Sequence, residues 1–189
     1  METAQLALVA TILLAAGGWL FTFVHARAQD RRRAHLDLVS QRLRLLYGPL
    51  YAHLRAGRAV WDAFYEAHRP AHGQSRYFAE GHSVSAEELA RWRHWMIFVF
   101  HPMNKRVEAM ILTHMDLVEQ DDLPDAFTAV LAHIAAYDAV INAWHAGDLS
   151  MHTSVLDFPD EELMNAVEPI YLHLREQQRV LTRKLRARA

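Results

Sequence analysis

There is no cysteine in this chain. Its absence removes disulfides, iron–sulfur clusters and cysteine-ligated zinc, and leaves the redox compartment open. Glycine is scarce, seven in 189 residues, and no glycine-rich loop of the phosphate-cradling kind occurs, so P-loop nucleotide binding is not expected. No Gly-x-Ser-x-Gly elbow, His-Glu-x-x-His or Glu-x-x-His motif is present, which removes the usual signatures of hydrolases, zinc proteases and di-metal bundles. Lysine is nearly missing: 18 of the 20 basic residues are arginine. Against 22 acidic residues they leave a formal charge of −2, and no chain-wide field invites nucleic acid. Nowhere does a β-branched run alternate with period two between turns, so no strand is expected.

What is present begins with an uncharged run. Ala4 to Val24 is 21 residues without a charge, long enough as a helix to cross a hydrocarbon core of about 30 Å. The triplet Ala26-Arg27-Ala28 has the look of a signal cleavage site. The segment ahead of the run carries Glu2 and no basic residue, however, and a secretory signal wants a basic start. Arg27, Arg31, Arg32 and Arg33 follow the run, and the positive-inside rule keeps that flank in the cytoplasm. The expectation is a retained single-pass anchor in the inner (plasma) membrane, with the N-terminus outside and the bulk of the chain cytoplasmic. Trp19 and Phe21 fall in the inner half of the span, and the basic cluster touches anionic lipid. Ala4, Ala7, Thr11, Ala15, Gly18 and Thr22 repeat at helical spacing. A stripe of small residues lets helices approach closely in lipid. A lone span has no second helix in its own chain, so its partner would be another membrane subunit or a second copy.

The remaining chain reads as helix. Leu36, Val39, Leu43, Leu46 and Leu50 form one face until Tyr47-Gly48-Pro49 interrupts. Leu54, Val60, Trp61, Phe64 and Tyr65 continue it, and Arg69 to Val84 reads as a long loop. Ser85 with Glu88 is a capping box that opens a helix with Pro102 inside it. Asp121, Asp122 and Pro124 open the next, with a stripe of Phe127, Val130, Leu131, Ile134, Tyr137, Ile141 and Trp144 and a stop at Gly147. Pro159 to Glu162 starts the last, whose face is Leu163, Val167, Ile170, Leu174, Gln177, Leu181 and Leu185. Its basic end suits the helix dipole. The expected architecture is all-α. A single N-terminal transmembrane helix (1–26) and a basic juxtamembrane segment (27–35) precede an antiparallel four-helix-bundle-like domain (36–189) with two proline-bent helices and short links between the later ones. As a class this resembles single-span bacterial helical proteins.

Several side-chain sets invite chemistry and fall short of it. Met96, Met103 and Met110 resemble a soft-metal ladder, but seven residues span about 10.5 Å on a helix, beyond a single ion. His94, His101 and Glu108 share that spacing. His68, His72 and His82 are a compositional histidine cluster on the loop. His114, His133 and His145 are the candidates for two haem axial ligands, with His145 near the core stripe and His133 at its edge. An inward histidine is more often a hydrogen-bonded core residue. Trp92, Met96, Val99, Met103, Met110, His114 and Leu117 form the expected core-facing stripe, with the apolar run from Trp95 to Phe100 deep in the core. Asp138 sits near an apolar stripe and needs a partner, for which Arg93, Asn104 and His145 are candidates. These readings assign no catalytic, cofactor or metal residue. They favour a non-enzymatic, membrane-anchored accessory or assembly subunit. The alternative is a tethered bundle switched by ligand, metal or pH, drawing on 13 histidines; a haem- or metal-bearing bundle is the third.

Overall fold

A computed structural model describes residues 2–68, 78, 83–120 and 122–186, with side chains from residue 14 to residue 185. Among the described residues every regular element is helical and none is a strand. Helix α1 (Glu2–Gln41) passes through a π-helical turn (Arg42–Tyr47) into α2 (Gly48–His68). Helix α3 (Ala86–Trp95) passes through a second π-helical turn (Met96–Phe100) into α4 (His101–Thr113). Helices α5 (Asp125–His145) and α6 (Asp160–Arg186) complete the chain. The expected loop at 69–84, with His72 and His82, lies almost wholly outside the described residues.

The two π-helical turns answer the two prolines. A proline inside a helix gives no N–H and its ring crowds the carbonyl four residues back. Here the turn ahead of each proline widens to a five-residue repeat: Gly48 N–H bonds the Leu43 carbonyl, and His101 N–H bonds the Met96 carbonyl. Pro49 and Pro102 then follow within resumed α-helix. A third proline, Pro169, sits inside α6, which the sequence reading did not count. It is exposed, so the carbonyl it orphans is open to water.

Each extra residue turns the following helix face by about 100°. The expected stripe past Met96 is therefore displaced. Trp92, Met96 and, at the far end, Leu117 are buried as expected, but beyond the π turn the other buried positions are Phe100, His101, Val107 and Ile111, while Val99, Met103, Met110 and His114 are only half-buried. Phe98 stands 66% exposed, so the Trp95–Phe100 run borders the core and does not lie wholly within it. Elsewhere the periodicity holds: Val39, Leu43, Leu46, Leu50 and Leu54 are buried, as are Leu163, Val167 and Leu174.

Two compact units divide the chain, residues 41–175 and residues 1–40 with 176–189. Within the first, α2 lies antiparallel to α3–α4: His53 Nε2 donates to the Met103 carbonyl at 2.9 Å, and Phe64 packs on Trp95. It is also antiparallel to the start of α6, through Arg58 with Asp160 and Tyr51 with Glu168. Phe64, Tyr65, Trp92, Met96, Phe100, Tyr137, Val140, Ile141 and Trp144 form an aromatic core. In the second unit Gln178 Nε2 donates to Ser40 Oγ at 3.0 Å. Leu14, Trp19, Leu20, Phe21, Phe23 and Val24 are all exposed on α1.

Among the described residues one helix is long and apolar enough to cross a membrane by length and composition, and it is α5. The uncharged run Ala4–Val24 lies partly outside the residues whose side chains are described.

Gly48 and Gly57 make opposite predictions. A Cβ at Gly48 would collide with the Leu43 backbone carbonyl, whereas one at Gly57 would rest 3.7 Å from the Met103 methyl, an ordinary contact. Gly48→Ala should lower stability by roughly 1–3 kcal/mol. Gly57→Ala should raise it by about 0.5–1 kcal/mol. Thermal unfolding followed by circular dichroism reads both.

Candidate functional site

The connection from α5 to α6 is residues 146–159, fourteen residues where the sequence suggested a short link. Gly147 (φ +88°) turns the chain out of α5. The Asp148 carboxylate accepts from Ser150 N–H and Ser154 Oγ from Leu156 N–H, two local turns that occupy backbone donors. The carbonyls are met from below by buried side chains. Trp144 Nε1 donates to the Met151 carbonyl (2.7 Å), Trp92 Nε1 to the His152 carbonyl (2.8 Å) and His133 Nδ1 to the Leu156 carbonyl (2.7 Å). The Tyr137 hydroxyl oxygen accepts from the Ser154 backbone N–H. Four polar tips from an otherwise aromatic core thus pin a strap that has no helix or strand of its own.

Those contacts fix the chemistry of the donors. A carbonyl can only accept, so His133 carries its proton on Nδ1. Burial pushes the His133 pKa below the ordinary histidine value; the Leu156 and Asp157 carbonyls and the Asp157 charge pull it back without overcoming burial, and nearby His101 depresses it further. Burial likewise lifts the Tyr137 phenol far above its usual range. Both side chains are therefore neutral at pH 7, His133 donating to the strap and Tyr137 accepting from it.

Beside the strap, α4 and α5 share a second polar group. His101 Nε2 faces Asp138 Oδ1 at 2.7 Å, and Lys105 Nζ reaches Asp138 Oδ2 at 3.2 Å while also pairing with Glu108. Burial alone would push the Asp138 carboxyl up; the hydrogen bonds from His101 and Lys105 outweigh it and hold it below the usual carboxylate value. The hydrogen bond to Glu108 leads in holding the Lys105 ammonium above its ordinary value. The partners of Asp138 are thus His101 and Lys105, not Arg93, Asn104 or His145. A histidine oriented by a carboxylate is half of a general-base arrangement, but a base must present its other nitrogen to a substrate. His101 Nδ1 is enclosed and has no hydrogen-bond partner among the described residues.

The remaining sequence candidates separate. His145 is exposed, not near the core. His133 is committed to the strap, and twelve residues place it about 18 Å from His145 along α5, too far to share one iron. His94 lies against exposed Phe98, away from buried His101. Among the described residues no three of His, Cys, Asp and Glu are grouped to hold a metal ion. Of the expected small-residue stripe, Ala15, Gly18 and Thr22 have described side chains, with Thr22 Oγ1 donating to the Gly18 carbonyl at 2.8 Å. Sequence reasoning missed the strap and its donors. The available signal was length: fourteen residues between helices exceeds the usual 2–8.

Comparison with protein-family models, curated proteins and solved structures finds no match.

Acid should act on the strap through His133. In the unfolded chain this histidine binds a proton near pH 6.5; folded, it resists until lower pH. Its contribution to stability is present above about 6.5 and is lost as pH falls through the lowered folded value. Asp138 acts in a separate window, losing its contribution only as pH falls below the ordinary carboxylate value of 3.8. Denaturant unfolding at pH 7.5 and 5.5 should show a fall in stability that is smaller in His133→Gln.

Proposed function

We propose that this chain is a single-span membrane protein, with its N-terminus outside and the 41–175 unit in the cytoplasm, that binds another protein as a non-enzymatic accessory or assembly subunit. One observation carries the reading. Residues 14–24 of α1 are helical, uncharged and exposed, with Leu14, Trp19, Phe21 and Val24 each more than half uncovered. Six large apolar side chains on one short exposed segment are not a stable arrangement in water; in lipid they are ordinary. Arg27 and the Arg31–Arg33 cluster sit where a cytoplasmic flank would carry them.

Helix α5 is the described helix that meets a length and composition test for a span, but eight of its positions are buried and Asp138 on it is held by His101 and Lys105. That suits the core helix of a four-helix bundle. For the partner surface in the cytoplasm, the strap is the stronger candidate. Its carbonyls are engaged inward, and Leu149, Met151, Val155 and Leu156 are left exposed. In the bilayer, the small-residue stripe from Ala4 to Thr22 offers close helix packing.

A second reading, a pH-responsive bundle, draws on His133: a buried neutral histidine holding the strap would loosen it when protonated. Identical helical content, thermal stability and oligomeric state at pH 5.5 and 7.5 would end it.

Changing Ala15 and Gly18 to Leu together should reduce co-purification of the membrane partner while leaving membrane insertion intact. Pull-down from detergent-solubilised membranes, with quantitative mass spectrometry, reads this. Undiminished recovery of the same subunits counts against a role for the span in assembly.

A further inference from the structure

The near-neutral charge of the whole chain hides a strong separation. Residues 41–175 hold eleven basic and eighteen acidic side chains, whereas residues 1–40 with 176–189 hold nine basic and four acidic. Five of those nine come from the end of α6 and the residues after it: Arg179, Arg183, Lys184, Arg186 and Arg188. The helix dipole accounts for cations in a last turn. It does not account for a second basic cluster on α1 in the same unit.

The Ser40–Gln178 hydrogen bond sets the register between the two helices. Going back along α1 from Ser40, the half-buried positions are Leu36, Arg32, Gln29 and Ala28; going forward along α6 from Gln178, they are Leu181, Thr182 and Leu185. Two helices that bury matching faces on either side of one contact run antiparallel there. Arg33 lies seven residues from the contact and Lys184 six, both about 10 Å along the axes. Arg31, Arg33, Arg183 and Lys184 are exposed and make no ion pair with a described residue. Arg27 through Arg33 start three residues past Val24, which places them about 5–14 Å beyond the end of the uncharged run, at headgroup depth.

We propose that α1 and the end of α6 together form one basic collar that binds the anionic headgroups of membrane phospholipids, with Arg183 and Lys184 contributing alongside Arg31, Arg32 and Arg33. The proposal rests on the membrane-span reading. Unpaired arginines at headgroup depth would be matched by lipid phosphates in forked hydrogen bonds, and the acidic 41–175 unit would be repelled from the same surface.

The test uses the full-length protein in nanodiscs of phosphatidylcholine alone or of phosphatidylcholine with phosphatidylglycerol. Amide hydrogen exchange of residues 176–189 is the readout. Exchange should be slower in the anionic bilayer by at least about fivefold, the factor one basic side chain near an anionic surface supplies, and molar salt should reverse this. Arg183→Gln with Lys184→Gln should reduce the lipid effect while exchange across 41–175 stays as in the unaltered protein. Equal exchange of the unaltered protein in the two bilayers overturns the proposal. So does a lipid effect that survives undiminished in the double variant, which would leave α1 as the sole lipid contact. If the protein floats with vesicles of neither composition, the membrane-span reading fails first and takes the collar with it.

Discussion

A proline that remains within a helix imposes a constraint that cannot be met locally without moving something else. The amide hydrogen is missing and the ring needs room. In this chain the backbone answers twice by widening the turn ahead of the proline, at Arg42–Tyr47 and at Met96–Phe100. Each widened turn inserts one residue into the helical phase and rotates everything that follows. That rotation carries Phe100 into the aromatic core and His101 round to face Asp138, while Val99 and Met103 move toward the edge. Gly48 belongs to the same solution, because the narrowed approach to the Leu43 carbonyl leaves no room for a Cβ.

The core built on that phase is unusual for where its polar atoms point. Trp92, Trp144, Tyr137 and His133 contribute apolar bodies to the packing, and their polar atoms reach outward to a single irregular segment, three donating to it and Tyr137 accepting from it. An irregular strap over an apolar core would otherwise leave carbonyls buried without partners, at about 1–3 kcal/mol each. Here the aromatic core supplies the partners, and the strap can show apolar side chains to solvent without collapsing onto them. The histidine among these four side chains ties this arrangement to pH, since its neutral form is the one that burial favours.

Much of the helical pattern was legible in the sequence, because amphipathic periodicity and caps are local. The Ser85–Glu88 capping box forms with both hydrogen bonds, Gly147 turns the chain at the end of α5, and the α6 stripe buries Leu163, Val167 and Leu174. The stripe of α3–α4 was misread past Met96 because a 3.6-residue period cannot foresee a π turn, although Pro102 marked the place. Asp138 was correctly singled out as a residue needing a partner, but which side chains meet it depends on that same phase shift. The strap was illegible because its contacts join residues 60, 7 and 23 positions apart and leave no periodic trace. The separation of charge between the two units was hidden by summing over the whole chain.

Exposed apolar side chains on α1, a basic segment directly after them and an acidic helical unit fit one account, in which the bilayer supplies the burial that this segment lacks. The absence of cysteine makes the account easy to test, since any cysteine introduced is the only one. The most direct measurement is labelling by a membrane-impermeant maleimide in intact, outer-membrane-permeabilised and lysed cells expressing either Thr3→Cys or Val155→Cys. A single span with its N-terminus outside predicts that the cysteine at position 3 is labelled before lysis and that at position 155 only after it. Labelling of both positions before lysis, or of position 155 alone, would contradict it.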